Sequence, residues 1–246
     1  PSAYKIAVDI DRAELNKPLI KYDLKLQADL ADFIPEMRNQ PIEYKNQDWL
    51  RFCQNLKEKY CFKNHPEHIQ KENEINPYYF VERLTSKLNK DDILTSANGT
   101  ASICIFQLAY IKGERIIMNS GNASMGFGLP AGIGAYYGAK RRTIVLEGDG
   151  SIMMNLQELE TIAFNKIPIK IFVINNNGYS SIRQTQRNFF EGRMTGAGID
   201  SGVSIPDFVK IASAFGMKTK RIQNPKTIED DIQSALNSKE AILCEV

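Results

Sequence analysis

The chain is poor in the residues that staple, chelate or anchor a protein. Its four cysteines, Cys53, Cys61, Cys104 and Cys244, form neither a CxxC pair nor a dense even framework. That excludes a disulfide scaffold and points to reduced thiols in a cytoplasmic protein. Both histidines, His65 and His68, lie in a polar stretch near Cys61 with no fourth ligand, so no zinc site is expected there. No apolar run approaches membrane-spanning length, and no membrane partner is expected. An excess of one charge is missing too: 31 Lys and Arg against 29 Asp and Glu leave a net charge of +2. The basic residues are scattered, which excludes a stripe that would track a nucleic-acid backbone. The opening residues, Pro1 to Lys5, show neither an initiator Met nor a signal-peptide pattern, and read as the cut end of a longer chain.

What is present is an ordinary globular composition, 43% hydrophobic and 24% charged, at a length suited to one large domain or to one domain plus part of another. Tyr4 to Ile10 reads as a strand, Arg12 to Asn16 as a helical turn, and Ala28 to Met37 as an amphipathic helix. Trp49, Leu50, Phe52, Cys53, Leu56 and Tyr60 form the apolar stripe of a further helix over Gln47 to Tyr60, and the stretch from Asn64 to Asn76 has the chemistry of a linker. From Asn76 onward helical segments alternate with short β-branched runs, the strands being 92–97, 115–118, 143–147, 168–175, 218–222 and 240–246. Six strands interleaved with helices predict an α/β fold, a doubly wound and mostly parallel six-stranded sheet with helices on both faces. Phe189 to Ser204 is a long Gly-rich loop of the kind that forms lids or binding loops.

The chemistry gathers at two strand exits. Gly148-Asp149-Gly150 ends the run Thr143 to Glu147, and Asn175-Asn176-Asn177 ends the run Ile169 to Ile174. Open α/β sheets bind ligands at such exits. Mg²⁺ takes hard oxygen ligands in near-octahedral array and commonly shares them with phosphates. Asp149 offers the charge, Asn176 a carboxamide oxygen, and the backbone carbonyl of Gly178 a third ligand. Gly148 and Gly150 let the backbone approach an anion, while Ser151 and the start of a helix after Asn155 offer donors to a diphosphate. The competing reading is that Gly, Asp and Asn merely form turns; their pairing at two adjacent exits weighs against it. Gly126-x-Gly128-x-x-x-Gly132 is discounted as a dinucleotide loop, because it does not closely follow the strand ending at Met118.

Gly148-Asp149-Gly150-Ser151 followed by Asn175-Asn176 resembles the signature of thiamine-diphosphate-dependent enzymes. The segment Ser120 to Ala131, with Asn155 to Leu159 and Lys166 to Lys170, resembles their acetolactate synthase-like branch. The resemblance covers residues 76–246 as the C-terminal diphosphate-binding domain, and implies the thiamine-diphosphate-binding fold. It implies that Asp149, Asn176 and the Gly178 carbonyl hold Mg²⁺ against the diphosphate of thiamine diphosphate. Met125 becomes the residue that wedges the cofactor into a bent shape, with the Ala123 carbonyl facing the aminopyrimidine and Ser124 between them. Gly148, Gly150, Ser151, Tyr179 and Ser180 complete the cofactor-binding set. Asn98, Gly99 and Thr100 occupy a place where many members carry Gly-Gln-His, so Thr100 and Ser102 are expected to replace the usual donors. Lys5 to Asp11 with Ala13 to Lys17 resembles the tail of the family's Rossmann-like central domain, which in some members binds FAD; FAD is therefore a cofactor to consider in a full-length protein. The resulting division is a remnant of the central domain over 1–40, a helical linker over 41–75 and the cofactor domain over 76–246.

The resemblance implies decarboxylation of a pyruvate-like 2-keto acid and transfer of the acyl unit to a carbonyl acceptor. No catalytic residue is assigned in this chain. The activating glutamate belongs to a pyrimidine-binding domain supplied by a neighbouring subunit, which implies a homo-oligomer, at least a dimer, and an inactive isolated fragment. Ser181 and Thr185 stand where acetolactate synthases carry Met and Trp, a departure that argues against branched-chain biosynthesis. With Ser180, Arg183, Gln184 and Gln186 they suit a hydroxylated or anionic acceptor, and Arg183 is expected to pair with its carboxylate or phosphate. Simple decarboxylation, and a non-catalytic binding or assembly module, remain open beside this reading.

Overall fold

The structure, a computed structural model, describes residues 2–41, 45–61, 70, 74–108 and 113–246; His65 and His68 lie outside the described residues. The chain divides into two compact units, residues 1–57 and 58–246.

The first unit carries strands β1 (Ile6–Asp9) and β2 (Leu24–Gln27) and helices α1 (Arg12–Leu15), α2 (Leu30–Asn39) and most of α3 (Gln47–Lys59). The two strands pair in parallel, Ile6 opposite Leu24. Asp11 and Asp29 start α1 and α2 by accepting the amide protons of Ala13 and Ala31 at 2.7 and 2.8 Å, as N-caps do. Among the described residues of this unit Leu15 is the one buried apolar side chain, and α2 and α3 bury none. Strand β2 has no counterpart in the sequence reading.

The second unit is the larger one. Its elements run α4 (Pro77–Ser86), β3 (Ile93–Ser96), α5 (Gly99–Leu108), β4 (Arg115–Met118), α6 (Gly128–Ala139), β5 (Thr143–Gly148), α7 (Asp149–Ile152) and α8 (Glu158–Phe164), followed by β6 (Lys170–Ile174), α9 (Ser180–Phe189), α10 (Phe208–Ala214), β7 (Lys218–Arg221), α11 (Ile228–Leu236) and β8 (Ile242–Glu245). Six strands form one parallel sheet in the order β4-β3-β5-β6-β8-β7. The central strands are mostly apolar because both their faces are covered, with buried polar or charged residues chiefly at their ends. Ile144 and Leu146 of β5, Phe172 and Ile174 of β6, and Ile242 and Cys244 of β8 pack with α4, α5 and α11. Their odd-numbered neighbours Val145, Ile171, Val173 and Leu243 pack with α6, α8 and α10 on the opposite face.

This alternation makes the sheet doubly wound. The chain passes from β3 outward to β4 through α5, then returns to the other side of β3 through α6, so the crossover changes face between β3 and β5. The connections leaving the carboxyl ends of those two strands therefore run to opposite faces, α5 on one and α8 on the other, leaving the crevice where open α/β sheets take ligands. One boundary differs in a way that matters for the site. Instead of opening after Asn155, the helical segment begins at Asp149, capped by the extended backbone of Gly148, and passes through a 3-10 turn before α8.

Candidate functional site

A cavity of about 370 Å³ opens at the switch point, within the size range of small-molecule sites. The exit of β3 contributes Asn98, Gly99 and Thr100, the exit of β5 Gly148, Asp149, Gly150 and Ser151, and the exit of β6 Asn176, Gly178, Tyr179 and Ser180. The loop after β4 contributes Ala123 and Met125. Four strand exits thus bring together every cofactor- and metal-site residue named from the sequence except Ser124, whereas Arg183, Gln184, Thr185 and Gln186 do not line the cavity. Ser102 and Ser181 also line the cavity, as do Ile103 and Ile182, which the sequence reading missed. The latter two are apolar yet 41% and 46% exposed on α5 and α9, a signal that exists only once the helices are placed.

Ser124 braces its loop instead of facing the cavity. Its hydroxyl accepts from Asn119 Nδ2 at 3.1 Å, and the Ala123 amide donates to the Asn119 carbonyl at 2.8 Å. This bracing holds Ala123 at φ 49, a left-handed conformation that is unfavourable for a residue with a Cβ. Backbone outliers of this kind gather at ligand sites. The same loop is fastened to the exit of β5: Ser151 Oγ accepts from the Gly126 amide at 2.9 Å, and Asn155 Nδ2 donates to the Gly126 carbonyl at 2.9 Å. The Ser151 hydroxyl proton is left to act on Glu147.

The three asparagines have three separate tasks. Asn175 Nδ2 donates to Glu245 of β8 at 2.8 Å, and its Oδ1 accepts from the Asn177 amide at 3.0 Å, closing a side-chain turn. Asn177 takes φ 60, which asparagine tolerates. Gly178 follows at φ 124, and a Cβ there would meet the Ala197 carbonyl oxygen at 2.6 Å; the turn requires glycine. Asn176 is left to present its carboxamide.

Asp149 is 2% exposed. Its Oδ1 accepts from the Gly150 amide at 2.7 Å, and its Oδ2 from the amides of Asn176 and Gly178 at 3.1 and 2.8 Å. One carboxylate thereby ties the exits of β5 and β6 together. Burial raises its pKa above the ordinary value, opposed by those three amides and by the Arg183 charge. Among the described residues no side-chain cation forms an ion pair with it, and no group of three His, Cys, Asp or Glu side chains forms a metal cluster. A desolvated carboxylate flanked by a carboxamide and a turn carbonyl is a donor set for a hard divalent cation. Beneath it Glu147 is fully buried, with donors nearby but none reaching either carboxylate oxygen in full hydrogen-bond geometry. Burial pushes its pKa up to about 7, against the opposing pull of the Ser151 hydroxyl and the amides of Gly128, Leu129 and Gly148.

Arg183 does not face the cavity as a free anion receptor. Its Nη1 donates to the carbonyls of Asn177 and Ala197 at 3.1 and 2.9 Å, and its Nη2 to the carbonyl and Oδ1 of Asn176 at 2.8 and 3.1 Å. Thr185 likewise donates its hydroxyl to the Ser181 carbonyl at 3.0 Å within α9.

Comparison with known proteins adds to this geometry. The family described as "Thiamine pyrophosphate enzyme, C-terminal TPP binding domain" matches residues 97–246. The chain is 33% identical over 241 residues to the acetolactate synthase isozyme 2 large subunit of Escherichia coli (strain K12), covering 97% of this chain and 42% of that one. It is 31% identical over 242 residues to the acetolactate synthase large subunit of Lactococcus lactis subsp. lactis (strain IL1403), covering 97% and 40%. It is 30% identical over 255 residues to the acetolactate synthase large subunit of Pyropia yezoensis, covering 100% and 42%. The chain spans about two fifths of the length of these relatives. Among the described residues no helix is long and apolar enough to cross a membrane.

Proposed function

We propose, from the premise that this chain belongs to the thiamine pyrophosphate enzymes through their C-terminal binding domain, that its switch-point cavity holds thiamine diphosphate together with Mg²⁺. The enzyme it serves decarboxylates a pyruvate-like 2-keto acid and passes the acyl unit to a carbonyl acceptor. The observation that carries this reading is Asp149, a buried carboxylate satisfied by three backbone amides and by no side-chain cation. Such a group is stable as an anion when a cation completes it.

Asp149 supplies the charge for Mg²⁺, and Asn176 Oδ1 and the Gly178 carbonyl supply neutral oxygens. Thr100, Ser180 and Ser181 present hydroxyls, and α9 begins with no side-chain cap; the Ser180 amide donates to the Gly178 carbonyl at 3.1 Å, which leaves the amides that follow it to a diphosphate. Met125 and the strained Ala123 border the space left for the rings, and Ile103 and Ile182 form an apolar rim that limits water. When bound, thiamine diphosphate supplies the electron sink for loss of the 2-keto acid carboxylate.

Asp149 is the one carboxylate among the described residues that line the cavity. We therefore assign the proton transfer at the aminopyrimidine to a glutamate of a pyrimidine-binding domain in a neighbouring subunit, which makes the active unit at least a dimer. FAD has no role in this reading. Cys53, Cys61, Cys104 and Cys244 are all unpaired, which fits the cytoplasm in which we place the protein.

The test is calorimetric titration of thiamine diphosphate into the chain with and without Mg²⁺. Binding is expected only with the cation, and Asp149→Ala should abolish it. Retained affinity in that variant would sink the metal assignment.

A further inference from the structure

We infer that Arg183 is the positioning residue of the cation site, a guanidinium that locks the Asn176–Gly178 turn to the Gly-rich loop at Ala197 and fixes which atom Asn176 presents. The inference rests on the metal reading above and goes beyond it, since Arg183 itself touches neither cation nor cofactor in that reading.

A carboxamide rotates freely between presenting oxygen and presenting nitrogen, and only the oxygen can ligate a cation. Arg183 Nη2 donates to Asn176 Oδ1 at 3.1 Å and to the Asn176 carbonyl at 2.8 Å, which selects one orientation of the group. The oxygen has two acceptor positions, so a bond to Arg183 leaves one for a cation. The other arm of the fork, Nη1, reaches the Asn177 carbonyl at 3.1 Å and the Ala197 carbonyl at 2.9 Å. Ala197 also accepts from the Tyr179 amide at 2.9 Å, and Gly178 and Gly198 form an antiparallel bridge. A planar fork serving acceptors on two separate stretches of chain is geometry that arginine provides and lysine does not. Gln186, one turn further along α9, fastens the same loop through paired bonds to Thr195 at 2.9 and 3.1 Å. The loop from 195 to 198 is thus a buttress of the turn.

Two effects of Arg183 oppose each other. Its positive charge disfavours a nearby cation, whereas its hydrogen bonds preorganise the ligands. The sign of the change on removing it decides which governs the site. Outer-sphere partners of metal ligands are typically worth about 10- to 100-fold in affinity.

The experiment measures the half-saturating Mg²⁺ concentration for thiamine diphosphate binding by the whole chain, using MgCl₂ titrations followed by calorimetry. Arg183→Gln should raise that concentration by about 10- to 100-fold. Arg183→Lys, which keeps the charge but not the fork, should raise it by about 10-fold and carries the test if the glutamine variant does not fold. Arg187→Gln, an exposed residue on the same helix, should leave it unchanged. Thiamine diphosphate affinity at saturating Mg²⁺ should recover toward the wild-type value in the Arg183 variants, a pattern that general loosening of the fold does not produce. A half-saturation that stays the same or falls in a folded Arg183 variant overturns the inference while leaving the site reading intact. Absence of Mg²⁺-dependent binding in the wild type overturns both.

Discussion

The two ends of the central sheet both bury charge, and they treat it in opposite ways. At the amino ends of the strands the charges are completed from within. Arg142 pairs with the buried Asp92 through two nitrogens, and Lys170 Nζ donates to the carbonyls of Pro168 and Glu240 at 2.8 Å each. At the carboxyl ends Asp149 and Glu147 are equally withdrawn from water, but neither meets a cationic side chain within ion-pairing distance among the described residues. The difference separates a scaffold from a binding site. A self-completed pair contributes to folding, whereas an uncompleted carboxylate keeps part of its interaction energy for something that arrives later. Proteins commonly trade stability for function in this way.

The comparison is broken most sharply by exchanging charge for amide at each end. Asp149→Asn should eliminate the Mg²⁺-dependent rise in melting temperature, and should cost the cation-free chain about 1–3 kcal/mol, because the new amide nitrogen cannot accept the backbone amides that one of the two oxygens now holds. Scanning calorimetry with and without Mg²⁺ reads both quantities. At the other end Asp92→Ala leaves Arg142 without its partner, and should cost about 3 kcal/mol in urea denaturation whether or not Mg²⁺ is present. Gly178→Ala tests the turn between these extremes. With φ 124 and the Ala197 oxygen at 2.6 Å from the new Cβ, it should cost about 2 kcal/mol and weaken Mg²⁺ binding together with stability.

The smallest effect comes from Lys170. Burial first, then the nearby Arg142 and Lys218 charges, hold its pKa down to about 8 from 10.5. Between those values the unfolded chain binds more protons than the folded one, so folding stability rises with pH through that window. Below pH 8 the cost of burying the charge is fully present. The unfolding free energy of Lys170→Met relative to wild type, from urea denaturation, should therefore decline as pH climbs from 8 to 10, by no more than about 1 kcal/mol per pH unit. A flat difference would show that Lys170 stays charged in the folded protein across the whole range.

The sheet was legible from sequence because its strands are short β-branched runs separated by helices. The parallel sense of the strands follows from that alternation, whereas their order emerges only in three dimensions. What periodicity could not supply was the face of each residue. Strands covered on both sides read as unbroken apolar runs, so the division of Ile144 and Leu146 from Val145 between two cores emerges only in three dimensions. Edges shifted for local reasons: the run from Pro168 enters the ladder only at Lys170, since proline has no amide to donate. Asp149, Asn176 and Gly178 stood out in the sequence because Gly-Asp-Gly and a triple Asn are unusual strand endings. Arg183 was assigned to an absent acceptor because nothing local reveals that the chain at Ala197 returns beside the turn. Ser124 was read as facing the ligand because its neighbours do, whereas its bond to Asn119 turns it away.

The Gly178 amide carries one further consequence, and it concerns time. It belongs to a turn, where amide protons ordinarily exchange with solvent quickly, yet it is bonded to a carboxylate oxygen buried under the exit of the neighbouring strand. That proton can leave only when the exits of β5 and β6 part, an event drawn from the slow end of local opening. Its exchange in deuterated water therefore clocks how often the pocket unlocks, with no substrate, label or assay required.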